Sequence, residues 1–106
     1  MVYIQIYSPS LPRKIIKIVD YGCSWGYNVF KLLQSGHNAV GFELSKNRAL
    51  FGEKKLGISI FSEKAKIPTQ NDVILSSHVI EHLVDIKEFI DFSRHHLHGD
   101  GIFMAF

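Results

Sequence analysis

The stretch Ile18-Val19-Asp20-Tyr21-Gly22-Cys23-Ser24-Trp25-Gly26 constrains this chain more than any other. An apolar run ends in an acid, a tight glycine turn follows, and a helical pattern begins at once. A chain that reads this way puts a turn and a helix N-terminus at the carboxyl end of a buried parallel strand, where such sheets build ligand cradles. Gly22 and Gly26 let the backbone approach a ligand closely and take angles that a side chain forbids. The free N–H groups of the next helix favour a carboxylate. A second acid, Glu43, closes the next apolar run, Ala39-Val40-Gly41-Phe42, and lies 23 positions after Asp20. Nucleotide-binding units place a ribose-binding carboxylate about 20 residues beyond the glycine turn, and Glu43 offers two acceptor oxygens to the two ribose hydroxyls. Together these features point to a nucleoside cofactor.

The rest of the chain alternates strand and helix patterns. Met1–Pro12 reads as an irregular lead-in with a short strand at Val2–Tyr7, and Lys14–Tyr21 as a buried β-branched strand. Asn28–Ser35 sets Val29, Leu32 and Leu33 on one face of a short helix that Gly36 stops. Ala39–Leu44 is the next strand, after which Ser45 caps a helix over Lys46–Leu56 that ends at Gly57. Ile58–Ser62 is a third strand, Glu63–Asn71 a loop containing Pro68, and Asp72–Ser77 a fourth strand. Val84–Leu97 is a helix with Ile86, Phe89, Ile90 and Leu97 along one side. Gly99-Asp100-Gly101 reads as a turn and Ile102–Phe106 as a fifth strand. This alternation predicts one α/β domain over residues 1–106, a doubly wound, Rossmann-like, mostly parallel sheet with helices on both faces.

Composition excludes several classes. Apolar residues form 46% of the chain, too many for a disordered segment. No apolar run is long enough for a membrane span, and the start lacks the pattern of a signal peptide. The net charge is +2 with scattered basic residues, so neither nucleic acid nor membrane is an expected partner. A single cysteine excludes an internal disulfide and suits a reducing cytoplasm.

Asp20-x-Gly22-Cys23-x-x-Gly26 resembles the first motif of class I S-adenosylmethionine-dependent methyltransferases. Asp72-Val-Ile-Leu-Ser-Ser-His78-Val-Ile-Glu81-His82-Leu83 is similar to a later motif of that superfamily, and Leu97-His-Gly99-Asp-Gly101 to the glycine turn before its fifth strand. The resemblance runs from about Ile15 to the end. It implies an enzyme that moves a methyl group from S-adenosylmethionine to a small-molecule acceptor. It also implies cofactor contacts from Asp20, Gly22, Cys23, Gly26, Glu43, Leu44, Ser62 and Ser77, with Asp20 holding the methionine amino group and Ser62 and Glu63 beside adenine. The family's usual Asp is absent after the third strand. Ser77 and His78 line the methionine and substrate side, and His78 and His82 are the catalytic candidates, since an imidazole titrates near neutral pH. The superfamily's sheet has seven strands, whereas this chain ends within or just after the fifth, so the final antiparallel hairpin is expected to be missing. Strand five then becomes an open apolar edge, which predicts self-association, most simply as a two-fold dimer.

Other readings compete at particular residues. His78-Val-Ile-Glu81-His82 also reads H-x-x-E-H, a zinc peptidase motif, but such a site needs a long helix and a third ligand. Some ubiquinone-pathway O-methyltransferases bind a divalent ion at matching positions; His78 stands in place of one acid here, which suits magnesium poorly. No metal is therefore expected. His95, His96 and His98 are explained by a helix C-terminus, whose dipole favours positive charge. Cys23 reads as a packing residue as well as part of the turn, and Trp25 as either a substrate platform or a ring packed on neighbouring loops. A nicotinamide dehydrogenase would want glycine where Ser24 stands. A non-catalytic or truncated nucleoside-binding module is the alternative outside enzymes.

Overall fold

The computed structural model describes residues 15–76 and 86–105. In chain order its elements are β1 (Lys17–Tyr21), α1 (Tyr27–Gln34), β2 (Asn38–Phe42), α2 (Lys46–Phe51), β3 (Ile60–Phe61), β4 (Asn71–Ser76), α3 (Ile86–His96) and β5 (Leu97–Ala105). A π-helical turn, Gly52–Leu56, extends α2, and a 3-10 turn, Lys64–Lys66, interrupts the expected loop before β4. The five strands form one parallel sheet in the order β3-β2-β1-β4-β5. That is the doubly wound arrangement the strand–helix alternation implies.

Strand periodicity sorts the core into two layers, because successive side chains leave a strand on opposite faces. Ile16 and Ile18 of the first strand region join Val73 and Leu75 of β4, Val29 and Leu32 of α1 and Ala49 of α2 on one face. Val19 and Tyr21 of β1 join Ile74 of β4, Phe42 of β2 and Phe89 and Phe92 of α3 on the other. Each fully buried aliphatic or aromatic side chain contributes about 1.5–3 kcal/mol. Tyr21 is the hub of the second layer, with ring centroids 4.9–5.2 Å from those of Phe42, Phe89 and Phe92.

The helix ends follow local chemistry. Ser45 accepts the Arg48 amide at 3.3 Å and caps α2, while Gly57 leaves the π turn with φ 68°. Gly36, at φ 89°, follows the end of α1 as expected. Leu33 departs from the expected apolar face: it is exposed, and buried Val29 and Leu32, with Phe30 packed beside them, carry the helix into the core. On α3, Phe92 shares the buried face with Phe89, a position the sequence reading passed over in favour of Ile90.

The last strand corrects the expected boundaries. Leu97 pairs with Asn71 and Ile102 with Val73, so six residues of β5 span three of β4. Gly99-Asp100-Gly101 is therefore a bulge inside a strand that starts at Leu97, and Leu97 belongs to no helix. A Cβ at Gly101 would sit 2.9 Å from the Asn71 carbonyl oxygen, so glycine is what lets the two backbones approach so closely there. Buried Asn71 anchors this corner by donating to the carbonyls of Pro68 at 2.7 Å and His96 at 2.8 Å.

Candidate cofactor cradle

Asp20 lies in the middle of the sheet, beside Gly41 of β2 and Leu75 of β4. Only 2% of it is exposed. Burial, with a smaller contribution from the charge of Glu43, pushes its carboxyl up to about 7. Among the described residues no cation pairs with it.

Glu43 follows β2 and is half-buried. Its two oxygens accept the backbone amides of Ser24 at 2.9 Å and Ser45 at 2.8 Å. One side chain thus ties the glycine turn after β1 to the turn after β2. Ser24 has φ 56°, a left-handed angle that costs a non-glycine residue about 1–2 kcal/mol. A hydrogen bond to a charged acceptor, about 1.5–3 kcal/mol, offsets that cost. A carboxylate oxygen has two acceptor directions, so Glu43 keeps capacity for ribose hydroxyls.

The two glycines have different reasons to be glycine. Gly22 has φ 79°, and its amide and that of Cys23 both donate to the Phe42 carbonyl, at 2.8 and 2.9 Å. Gly26 has φ 95°, and a Cβ there would fall 2.3 Å from Ile58 Cδ1 and 2.9 Å from Ile60 Cδ1. The space at Gly26 is filled from inside by the β3 segment. That is a packing reason for glycine here, in addition to the backbone approach to a ligand expected from the sequence. Next, α1 starts with neither a side-chain cap nor an acid in its first turn. Its first intrahelical acceptor is the Gly26 carbonyl, bonded by the Phe30 amide at 3.0 Å, which leaves the preceding helical N–H groups open to an anion.

The remaining expected residues divide three ways. The Cys23 side chain is buried in the α1–α2 layer, against the place a Gly41 side chain would occupy. Burial, then the charges of Asp20 and Glu43, raise its thiol well above the usual range, so it stays protonated. Leu44, 74% exposed, and half-buried Ser62, directly after β3, stand at the sheet's carboxyl edge with Glu43. Ser77, His78 and His82 lie outside the described residues, as does Glu81.

Trp25 packs edge-on against Phe51 at 5.2 Å, with the Arg48 guanidinium 5.4 Å from its ring centroid, so it leans on α2. The three histidines near the end of α3 go to separate partners. His96 bonds the Phe92 carbonyl at 2.9 Å and stacks on that ring, and His95 is exposed. His98 sits in β5, not on the helix, with Nε2 2.6 Å from Asp72. The helix-dipole account therefore serves His95 and His96, and a carboxylate partner serves His98. The Asp72 carboxylate also accepts the Lys17 amide at 2.8 Å, joining β1, β4 and β5. No group of three metal-ligating side chains occurs among the described residues. A cleft of about 320 Å³ lies elsewhere, between Lys64–Ala65 and the Glu88–His96 side of α3, and shares no residue with the cradle.

Comparison with known proteins fits this layout. A family model described as a methyltransferase domain matches residues 4–105. A ubiquinone biosynthesis O-methyltransferase of Pelagibacter ubique is 34% identical, over 92% of this chain and 44% of its own length. The chain thus spans less than half of that relative. In fold, a TehB-like SAM-dependent methyltransferase from Corynebacterium glutamicum superposes with a TM-score of 0.75 at 20% identity, covering 88% of this chain and 55% of the other. An O-methyltransferase from a trans-AT PKS multienzyme of Brevibacillus brevis, solved with S-adenosyl-L-homocysteine, gives 0.72 at 23% identity, covering 87% and 35%. With residues 4–105 matched by the family model, this protein belongs to the methyltransferase-domain family.

Proposed function

We propose that the chain binds S-adenosylmethionine along the carboxyl ends of β1 and β2 and serves methyl transfer to a small-molecule acceptor. The observation that carries this is the pairing of Asp20 with Glu43. One is a buried carboxyl with no cation partner among the described residues, the other a carboxylate clamped across two turns with acceptor capacity to spare. Asp20 is suited to the methionine ammonium, the first N–H groups of α1 to its carboxylate, Glu43 to the ribose hydroxyls, and exposed Leu44 to an adenine face. Ser62 stands on the adenine side, while the backbone of Gly22, Cys23 and Gly26 shapes the turn. When bound, the cofactor supplies a methyl group activated by an adjacent sulfonium. The protein's task is then to hold an acceptor in line and keep water away.

An oxygen acceptor is favoured, because the relative from Pelagibacter ubique is named an O-methyltransferase. A hydroxyl acceptor gives up its proton during transfer, and His78 or His82 is the residue assigned to take it. Ser77 completes the cofactor side. A lone, protonated cysteine suits a reducing cytoplasm. β5 ends the strand order among the described residues and exposes Ile102 and Phe103 on its two faces, which supports self-association through that edge.

Calorimetric titration with S-adenosylhomocysteine and with NADH tests the cofactor assignment. Binding of the former alone is expected; binding of NADH alone overturns the reading.

A further inference from the structure

Trp25 and Tyr27, at the end of the glycine turn, remain 43% and 53% exposed. Both rings lie against Phe51 of α2, at centroid distances of 5.2 and 6.2 Å. Leu50, the residue before Phe51, is exposed too. Arg48, over the Trp25 ring, lies on α2, and Lys54 and Lys55 lie on its π turn; all three are exposed, with Glu53 the one acid in that stretch. Among the described residues none of these three cations enters an ion pair.

Exposed aromatic and aliphatic side chains beside a helix that carries unpaired, exposed cations fit one environment closely. Tryptophan and tyrosine settle at the headgroup level of a bilayer, and lysine and arginine reach the lipid phosphates from there. Each such cation adds attraction to an anionic leaflet. We propose that the Trp25–Tyr27–Leu50 face docks on the surface of an anionic lipid bilayer. Trp25 belongs to the glycine turn itself, so a docked chain holds that turn beside the headgroups. The contact is peripheral: no helix among the described residues is long and apolar enough to cross a membrane.

Two other occupants fit less well. Single-stranded nucleic acid needs open ring faces for base stacking, whereas the Trp25 ring already carries the Arg48 guanidinium over it and Phe51 against it at an interplanar angle of 80°. A second copy would bring like charges face to face. The inference does not depend on the cofactor assignment.

The chain has one tryptophan, so Trp25 reports on its own surroundings. The test is sedimentation with vesicles of phosphatidylcholine alone and of phosphatidylcholine with an equal part of phosphatidylglycerol, the latter also made with bromine-labelled acyl chains. The chain should sediment with the anionic vesicles only, less so as salt is raised, and the brominated lipid should quench Trp25. A Lys54→Glu/Lys55→Glu variant, with an unchanged melting curve because both side chains are exposed, should lower the bound fraction about tenfold or more. Equal binding to neutral vesicles, an unquenched Trp25 in the bound chain, or indifference to charge reversal overturns the proposal. Preference for a single-stranded oligonucleotide over anionic vesicles overturns it as well.

Discussion

The Glu43 carboxylate accepts the Ser24 amide at 2.9 Å, across 19 positions of sequence, and holds the glycine turn in the shape it needs. The same side chain reaches the Ser45 amide at 2.8 Å, so the two turns that would enclose a nucleoside are set by one residue. The residue proposed to hold the ribose thereby also stabilises the fold itself, so its removal is expected to act on both.

Glu43→Ala should weaken S-adenosylhomocysteine binding by about 1.5–3 kcal/mol, the range for hydrogen bonds to a charged group. It should also lower the melting temperature of the ligand-free chain, because two backbone donors lose their acceptor. Glu43→Gln, which keeps one acceptor oxygen, should fall between. Calorimetry and thermal denaturation on the three proteins read the two effects separately. Parent-like binding by Glu43→Ala would place the ribose elsewhere.

Asp20 predicts a pH dependence of stability with a definite sign. Its carboxyl is raised from the ordinary 3.8 to about 7, so the folded chain keeps a proton that the unfolded chain has lost. Stability should fall as pH rises from about 4 to about 7 and stay low above that. The penalty corresponds to about 4 kcal/mol at its full extent. Asp20→Asn should raise the melting temperature at pH 8 and lose that advantage near pH 4. Melting curves across this range check it; a parallel offset at all pH values would show that the carboxyl does not titrate there.

The same group should govern cofactor affinity in the opposite sense. An ammonium favours the ionised carboxylate, so S-adenosylhomocysteine should bind more tightly as pH rises through about 7. Below that, affinity should drop by a factor approaching about ten per pH unit, with uptake of the ligand releasing a proton. Titration in buffers of different ionisation heat measures the proton. Asp20→Asn should bind weakly and without this pH dependence.

Gly26 and Gly57 both have left-handed angles, φ 95° and 68°, yet only Gly26 is enclosed. Gly57→Ala should cost about 1–2 kcal/mol, the backbone penalty alone. Gly26→Ala should cost more, since its Cβ would press on Ile58 and Ile60. Denaturant unfolding of the two variants compares them; equal costs would mean that the β3 segment moves aside freely.

The β5 edge predicts association of this chain in solution. Ile102→Lys/Phe103→Lys should shift the population toward monomer, as charge on an edge strand discourages pairing. Light scattering over a dilution series reports the change. A parent chain that is monomeric at high concentration would show the edge to be covered.

Much of the fold was legible because its signals are local. Apolar runs ending in Asp20 and Glu43, the cap at Ser45 and the stops at Gly36 and Gly57 each depend on neighbours a few residues away, and so the strand and helix order follows from them. Period-two alternation likewise assigns Val19 and Ile74 to one face and Ile18 and Val73 to the other. What needed the tertiary structure were relationships between distant segments. That Gly26 is small to admit Ile58 and Ile60, that Glu43 restrains Ser24, that Asp72 joins His98 to Lys17, and that Gly99–Gly101 bulges within a strand are facts of who lies next to whom. Sequence records the residue type that such a neighbour demands, but only the packed chain shows which neighbour demands it.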